Sequence, residues 1–122
     1  MTKEYTTDGE EKIATGAVKY DAGKSEIQSG FIEYFPRAIE AIAAVSDFGA
    51  RKYSRGGWRQ VDNGRTRYAN AGVRHALAQA KGEVLDNDSG LLHLAHETWN
   101  KLAVLELILA ERDLPPGATS KS

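Results

Sequence analysis

The chain is predicted to be all-α: a small helical domain with a core antiparallel helical hairpin, an extended N-terminal arm and a surface that self-associates. Three observations predict this. Apolar residues recur at helical spacing in three stretches. The second and third stretches are separated by only "VLDNDSG" (84–90), and so short a connection makes antiparallel neighbours. No run alternates as a half-buried strand does, and "AVKYDAGKSEI" (17–27) is the one plausible short extended segment.

The first helix begins near Pro36, a residue that suits the first turn. It runs through "RAIEAIAAVSDFGARKY", where Ile39, Ile42, Ala43, Ser46 and Ala50 keep helical spacing beside Val45 and Phe48. Gly49 weakens it or ends its regular part. A glycine-rich loop, "SRGGWRQVDNGRTR", leads to the second helix, "YANAGVRHALAQAKGE". Its narrow stripe of Ala69, Val73, Ala76, Leu77 and Ala80 lets another helix come close. The third helix starts near Ser89, an N-cap residue type, and ends near Arg112. Its second half, "LAVLELILA" (102–110), is apolar nearly all round, and three helices of this size cover such a surface poorly alone. A homo-oligomer is therefore expected.

Residues 1–17 carry few large apolar side chains and are expected to form a flexible N-terminal segment. Residues 18–113 are expected to form a single helical domain. In 114–122 two prolines stop the last helix and small polar residues follow, as in a flexible tail.

Composition narrows the function classes. The 122 residues are 41% hydrophobic and 27% charged, with 16 Lys+Arg against 17 Asp+Glu for a net charge of −1. That balance calls for neither DNA, RNA nor a membrane surface as partner, though a local basic pocket for a small anion is compatible with it. With no cysteine there is no disulfide framework and no thiolate zinc site. The N-terminus lacks the apolar core of a secretory leader, and a cytoplasmic location is expected.

Chemistry-bearing residues crowd into the hairpin. His93, His96, Glu97 and Asn100 fall at i, i+3, i+4 and i+7, one stripe of the third helix, opposite Leu91, Leu92, Ala95, Trp99 and Leu102. Counting back from the turn at about 1.5 Å per residue sets Arg74 and His75 level with His96 and Asn100. Glu83 and Asp86 sit at the turn, near His93. Their ExxD spacing, taken as one helical turn, lets two carboxylates share a hard oxygen-seeking ion such as Mg²⁺. The plainer alternative is a solvated helix end. His93 and His96, in HxxH spacing, can bind a transition metal with a carboxylate, act as acid–base groups without one, or simply be hydrogen-bonded. Arg74, Lys52, Arg51 and Lys24 are either phosphate-neutralising or ordinary surface cations. Trp58 and Tyr53 can stack on a nucleobase, and Trp58 serves equally as a loop anchor. Neither GxGxxG nor GxxxxGK[ST] occurs, so no Rossmann or P-loop site is indicated.

The segments "VKYDAGKSEI", "DFGARKY", "GGW", "RHALAQAKGEVLDNDSGLLHLAH" and "WN" stand in an order and spacing that resemble the phage family called dATP/dGTP diphosphohydrolase, N-terminal domain. The resemblance covers about residues 17–106. It implies cleavage of purine deoxynucleoside triphosphates to monophosphate and pyrophosphate in the cytoplasm of an infected bacterium. It also suggests a loose similarity to all-helical MazG-type enzymes, which hold Mg²⁺ between carboxylates. Carried over residue by residue, Lys19, Asp21 and Lys24 match the first motif and Gly49, Lys52 and Tyr53 the second. Arg74, His75, Glu83, Asp86, Ser89, His93, His96 and Asn100 match the last. In that reading Glu83 and Asp86 hold Mg²⁺, with Glu83, His75 and His96 as the catalytic set. Lys19, Lys24, Lys52, Tyr53, Trp58, Arg74, His93 and Asn100 contact substrate. Gly57 departs from the family's Asn, and Glu97 from its small residue. Only one carboxylate pair is present where MazG-type enzymes have two. That gap sustains an alternative: a non-catalytic oligomeric sponge, needing no cofactor, that sequesters a nucleotide immune signal.

Overall fold

A computed structural model describes residues 4–5, 10–12, 18–20 and 22–112. The fold is all-α, and the chain divides into two compact units, Met1–Phe35 and Pro36–Ser122. The sequence expectation had taken 18–113 as one domain. The expected tail, 114–122, lies outside the described residues.

In the first unit three short strands, β1 (Glu4–Tyr5), β2 (Glu10–Lys12) and β3 (Val18–Tyr20), form an antiparallel sheet in chain order. β2 pairs with β3 in the register Glu10↔Tyr20. β3 lies within the extended segment read from the sequence. β1 and β2 fall in 1–17, where no strand pattern is visible; the rest of that stretch lies outside the described residues. A π-helical turn, Gln28–Ile32, follows.

The second unit holds α1 (Pro36–Lys52), α2 (Gly64–Ala80) and α3 (His93–Arg112), with a 3₁₀ turn at Gly57–Gln60. α1 passes through Gly49 without a break. A Cβ there would meet nothing within 4 Å, so the glycine costs helix stability with no packing return. Gly49→Ala is accordingly expected to stabilise the fold by about 0.5–1 kcal/mol, read as a higher midpoint in thermal or denaturant unfolding.

α2 starts at Gly64, four residues before the apolar stripe suggested, because Arg65, Thr66 and Arg67 of its first turn are polar and exposed. Asn63 enters it in the left-handed region (φ 57°). Its end is a Schellman motif. Gly82 (φ 93°) donates to the Gln79 carbonyl at 2.9 Å and Glu83 to that of Ala78 at 3.0 Å. Glu83 and Asp86 therefore lie beyond the helix, which corrects the expectation that they share one helical turn.

α3 also starts later than expected, at His93. Leu92 pairs in an extended bridge with Leu85, and Gly90 (φ 73°) turns the chain between them. Ser89 is not an N-cap; its hydroxyl is used elsewhere.

α2 and α3 are antiparallel and form the main packed pair. Gly64 faces Leu107 and Gly72 faces Asn100. The face of α3 turned inward is the polar one. His93, His96 and Asn100 are each only 6% exposed, whereas Leu102 and Leu105 are 45% and 53% exposed. The small buried core is Val45, Ala95 and Ala103. An aromatic trio closes the side next to α1. Trp58, Tyr68 and Trp99 meet edge to face at 5.6–6.1 Å, Tyr68 donates to the Trp58 carbonyl at 2.7 Å, and Trp99 Nε1 donates to Ser46 Oγ at 2.6 Å.

Candidate functional site

Three imidazoles from two helices meet where α2 and α3 leave their connecting loop. His75 of α2 stacks on His96 of α3, with ring centroids 4.5 Å apart and planes within 9°. His75 Nδ1 lies 2.8 Å from His93 Nδ1, so these two nitrogens share a proton or a common partner. Phe48 of α1 packs edge-on to His96 at 6.1 Å. The close approach is possible because Gly72, one turn from His75, lets α2 rest on Asn100. Asn100 in turn donates to the His96 carbonyl at 2.8 Å.

The loop supplies the acids. Asp86 Oδ2 accepts the backbone N–H of Ser89 at 2.8 Å and of Asp88 at 3.1 Å, which fixes its carboxylate in an Asx-type turn. That oxygen stands 4.0 Å from His96 Nε2, while the Ser89 hydroxyl reaches the same nitrogen at 2.6 Å. Glu83 Oε1 faces His93 Nε2 at 3.8 Å, beyond hydrogen-bond reach. His93 Nε2 is buried without a partner. Glu97, the odd residue of the stripe, accepts from Gln79 Nε2 at 2.9 Å and so ties α3 to α2.

A cavity of about 240 Å³ opens beside the imidazoles, lined in part by Lys52, Tyr53, His75, Asp86, His96 and Asn100. Lys52 bridges to Asp88 at 3.2 Å across its mouth. Tyr53 is 80% exposed at the rim. Two expected substrate contacts of this unit are elsewhere: Arg74 points to solvent, and Trp58 lines larger hollows on the aromatic side. Lys19 in β3 and Lys24 after it belong to the first unit. Ser89 was matched through the family motif but given no role in the site, and Phe48 and Asp88 were not singled out, since their roles depend on loop geometry and on α1.

Burial lowers the pKa of His75 below the usual 6.5, as does repulsion from His96, against the pull of Asp86. Burial lowers that of His96 as well, again opposed by Asp86. Burial pushes Asp86 upward, but its bonds from Ser89 and the facing imidazoles outweigh that and hold it below its ordinary value. Near neutral pH the pocket thus presents neutral His75 and His96 beside an ionised Asp86.

The sign of the pH effect follows. As pH falls through about 6.5, unfolded chains bind protons at these positions before folded ones do, so stability is lost. The contribution of Asp86 has the same sign but acts at lower pH, being present above 3.8 and lost only in stronger acid. The melting temperature is expected to be level above pH 7 and to fall as the pH drops below about 6.5. His75→Gln should flatten that slope, and an unchanged slope would refute the assignment.

Among known families, the model described as dATP/dGTP diphosphohydrolase, N-terminal, matches residues 14–115. A protein of Salmonella phage PMBT28 named dATP/dGTP diphosphohydrolase is 34% identical over 91 residues, which cover 75% of this chain and 29% of that relative. No solved structure matches significantly. Among the described residues, no helix is long and apolar enough to cross a membrane.

Proposed function

Because this chain belongs to the dATP/dGTP diphosphohydrolase, N-terminal, family, we propose that its histidine pocket cleaves a purine deoxynucleoside triphosphate to the monophosphate and pyrophosphate, in the cytoplasm of an infected bacterium. The observation that carries this reading is the convergence of His75, His96 and Asp86 on one cavity with Lys52 at its mouth. The cavity's 240 Å³ is below the roughly 300–1,000 Å³ of a full small-molecule site. It takes the phosphates, and the base extends over the exposed ring of Tyr53.

Water held beside the imidazoles attacks the α-phosphorus and forms a new P–O bond there. The bond from that phosphorus to the bridging oxygen breaks, pyrophosphate leaves, and His96 accepts the proton, being neutral at neutral pH. Asp86 stabilises the imidazolium that forms, and Lys52 meets the phosphate charge. The ion expected from the sequence, Mg²⁺ on Glu83 and Asp86, fits the site poorly. Those carboxylates lie in a loop, each beside a different histidine, and Mg²⁺ prefers oxygen ligands. No step above is routed through it.

The sponge alternative gains nothing from the relatives. Ionised carboxylates in the pocket also argue against it, because they repel phosphates unless chemistry or a cation calls for them. Product analysis of dATP and dGTP incubations tests the proposal. Monophosphate and pyrophosphate are expected; intact nucleotide retained without turnover would leave binding alone. Self-association belongs to the same reading, given the exposed Leu102 and Leu105. Light scattering should read a multiple of 13.3 kDa, and a single-chain mass would remove that part.

A further inference from the structure

We propose that His75, His93 and Asp86 form a binding site for a first-row transition-metal dication, of the Mn²⁺, Fe²⁺, Co²⁺ or Zn²⁺ kind, with Glu83 orienting His93. Each of the three residues can offer one ligand atom such that all lie within 4.8 Å of one another. Two features make this more than proximity.

The first is spacing. Imidazole nitrogens bind such ions at roughly 2.0–2.1 Å, so two of them stand about 2.9 Å apart at the right angle of an octahedral site and about 3.3 Å apart in a tetrahedral one. His75 Nδ1 and His93 Nδ1 stand at 2.8 Å. The second is the tautomer of His93. Its Nε2 is buried, has no hydrogen-bond partner and faces a Glu83 carboxylate oxygen at 3.8 Å. A bare lone pair there would face another lone pair. With the proton on Nε2 the contact becomes attractive, and the lone pair falls on Nδ1, aimed at His75. A carboxylate behind a ligating imidazole is the usual way proteins orient such a ligand. Asp86 completes the set. Its loop bonds to Ser89 and Asp88 both use Oδ2, which pins the group without exhausting its four lone-pair positions.

Two imidazoles and one carboxylate suit borderline transition ions, whereas Mg²⁺ sites are built from oxygens. The remaining positions stay open to water or phosphate oxygen. The chain's other histidine, His96, stacks on His75, so an untagged chain has no imidazole outside this cluster.

Metal binding can be read without nucleotide, so its failure leaves the hydrolase reading standing. Untagged protein freed of metal by chelator is titrated with Co²⁺ and with Mg²⁺ by calorimetry and visible absorption. One Co²⁺ per chain is expected, bound at least tenfold more tightly than Mg²⁺. His75→Ala and Asp86→Asn should each weaken it by tenfold or more, and Glu83→Gln by about tenfold. Paramagnetic broadening of the wild-type histidine resonances guards against variants that misfold. Substoichiometric Mn²⁺ should erase His75 and His93 signals first. Equal Co²⁺ and Mg²⁺ affinity, Co²⁺ binding unchanged in folded His75→Ala, or histidine signals untouched by Mn²⁺ would each overturn the site.

Discussion

Asp86→Asn is expected to reduce turnover of dATP and dGTP by about 10²–10⁴-fold, the range in which a positioned acid–base system contributes. The substitution is nearly isosteric, and Asn can still accept the Ser89 and Asp88 N–H bonds that hold the loop. What it removes is the charge beside His75 and His96. His75→Gln should produce a loss of similar size, and the double variant little more than either, because the two groups act as a unit. Steady-state kinetics on variants with wild-type circular dichroism gives the comparison. A rate within threefold of wild type for folded Asp86→Asn would move the chemistry away from this pocket.

Gly72→Val is expected to destabilise the second unit by about 1–3 kcal/mol, the usual cost of overfilling a packed contact. A Cβ at Gly72 would already stand 3.3 Å from Asn100 Cβ and 3.8 Å from the Glu97 carbonyl oxygen. Alanine alone is a balance, since its helix propensity returns up to about 1 kcal/mol. Valine adds two methyl groups and the balance fails. Each kcal/mol lowers the melting temperature by roughly 4–8 °C in a domain of this size. Asn100 also anchors the His96 carbonyl, so the variant should lose activity beyond its loss of folded protein. The opposite sign expected at Gly49 makes the pair informative: one glycine is required by a neighbour and the other is not.

These effects show where the sequence was legible. Pro36 and the apolar spacing after it located α1. The short turn set α2 against α3, and counting back from it put His75 across from His96, where the rings stack. Element ends were less legible. Gly82 marked the end of α2, yet the helical pattern seemed to run past it and carried Glu83 along. Ser89 has the chemistry of an N-cap, but its hydroxyl is held by His96 and its N–H by Asp86, seven and three residues away. A one-dimensional reading has no access to that competition. Counting across the turn set the polar stripe of α3 against α2, although hydrophobic residues are the usual interior. Here the hydrogen-bonded polar stripe is buried, and Leu102 and Leu105 stay exposed. Glu97 makes sense only with Gln79 opposite it.

In the proposed function, nucleotide binds along the buried polar stripe of α3, with His75 facing it. Nitrogen-15 spectra of the histidine side chains, recorded while dGTP is added, test this, since two of the chain's three histidines, His75 and His96, line the pocket and His93 touches His75. Saturating dGTP is expected to shift the His75 and His96 resonances while the indole signal of Trp58 stays in place. Unmoved histidines with a shifted Trp58 would put the nucleotide in the aromatic hollow instead.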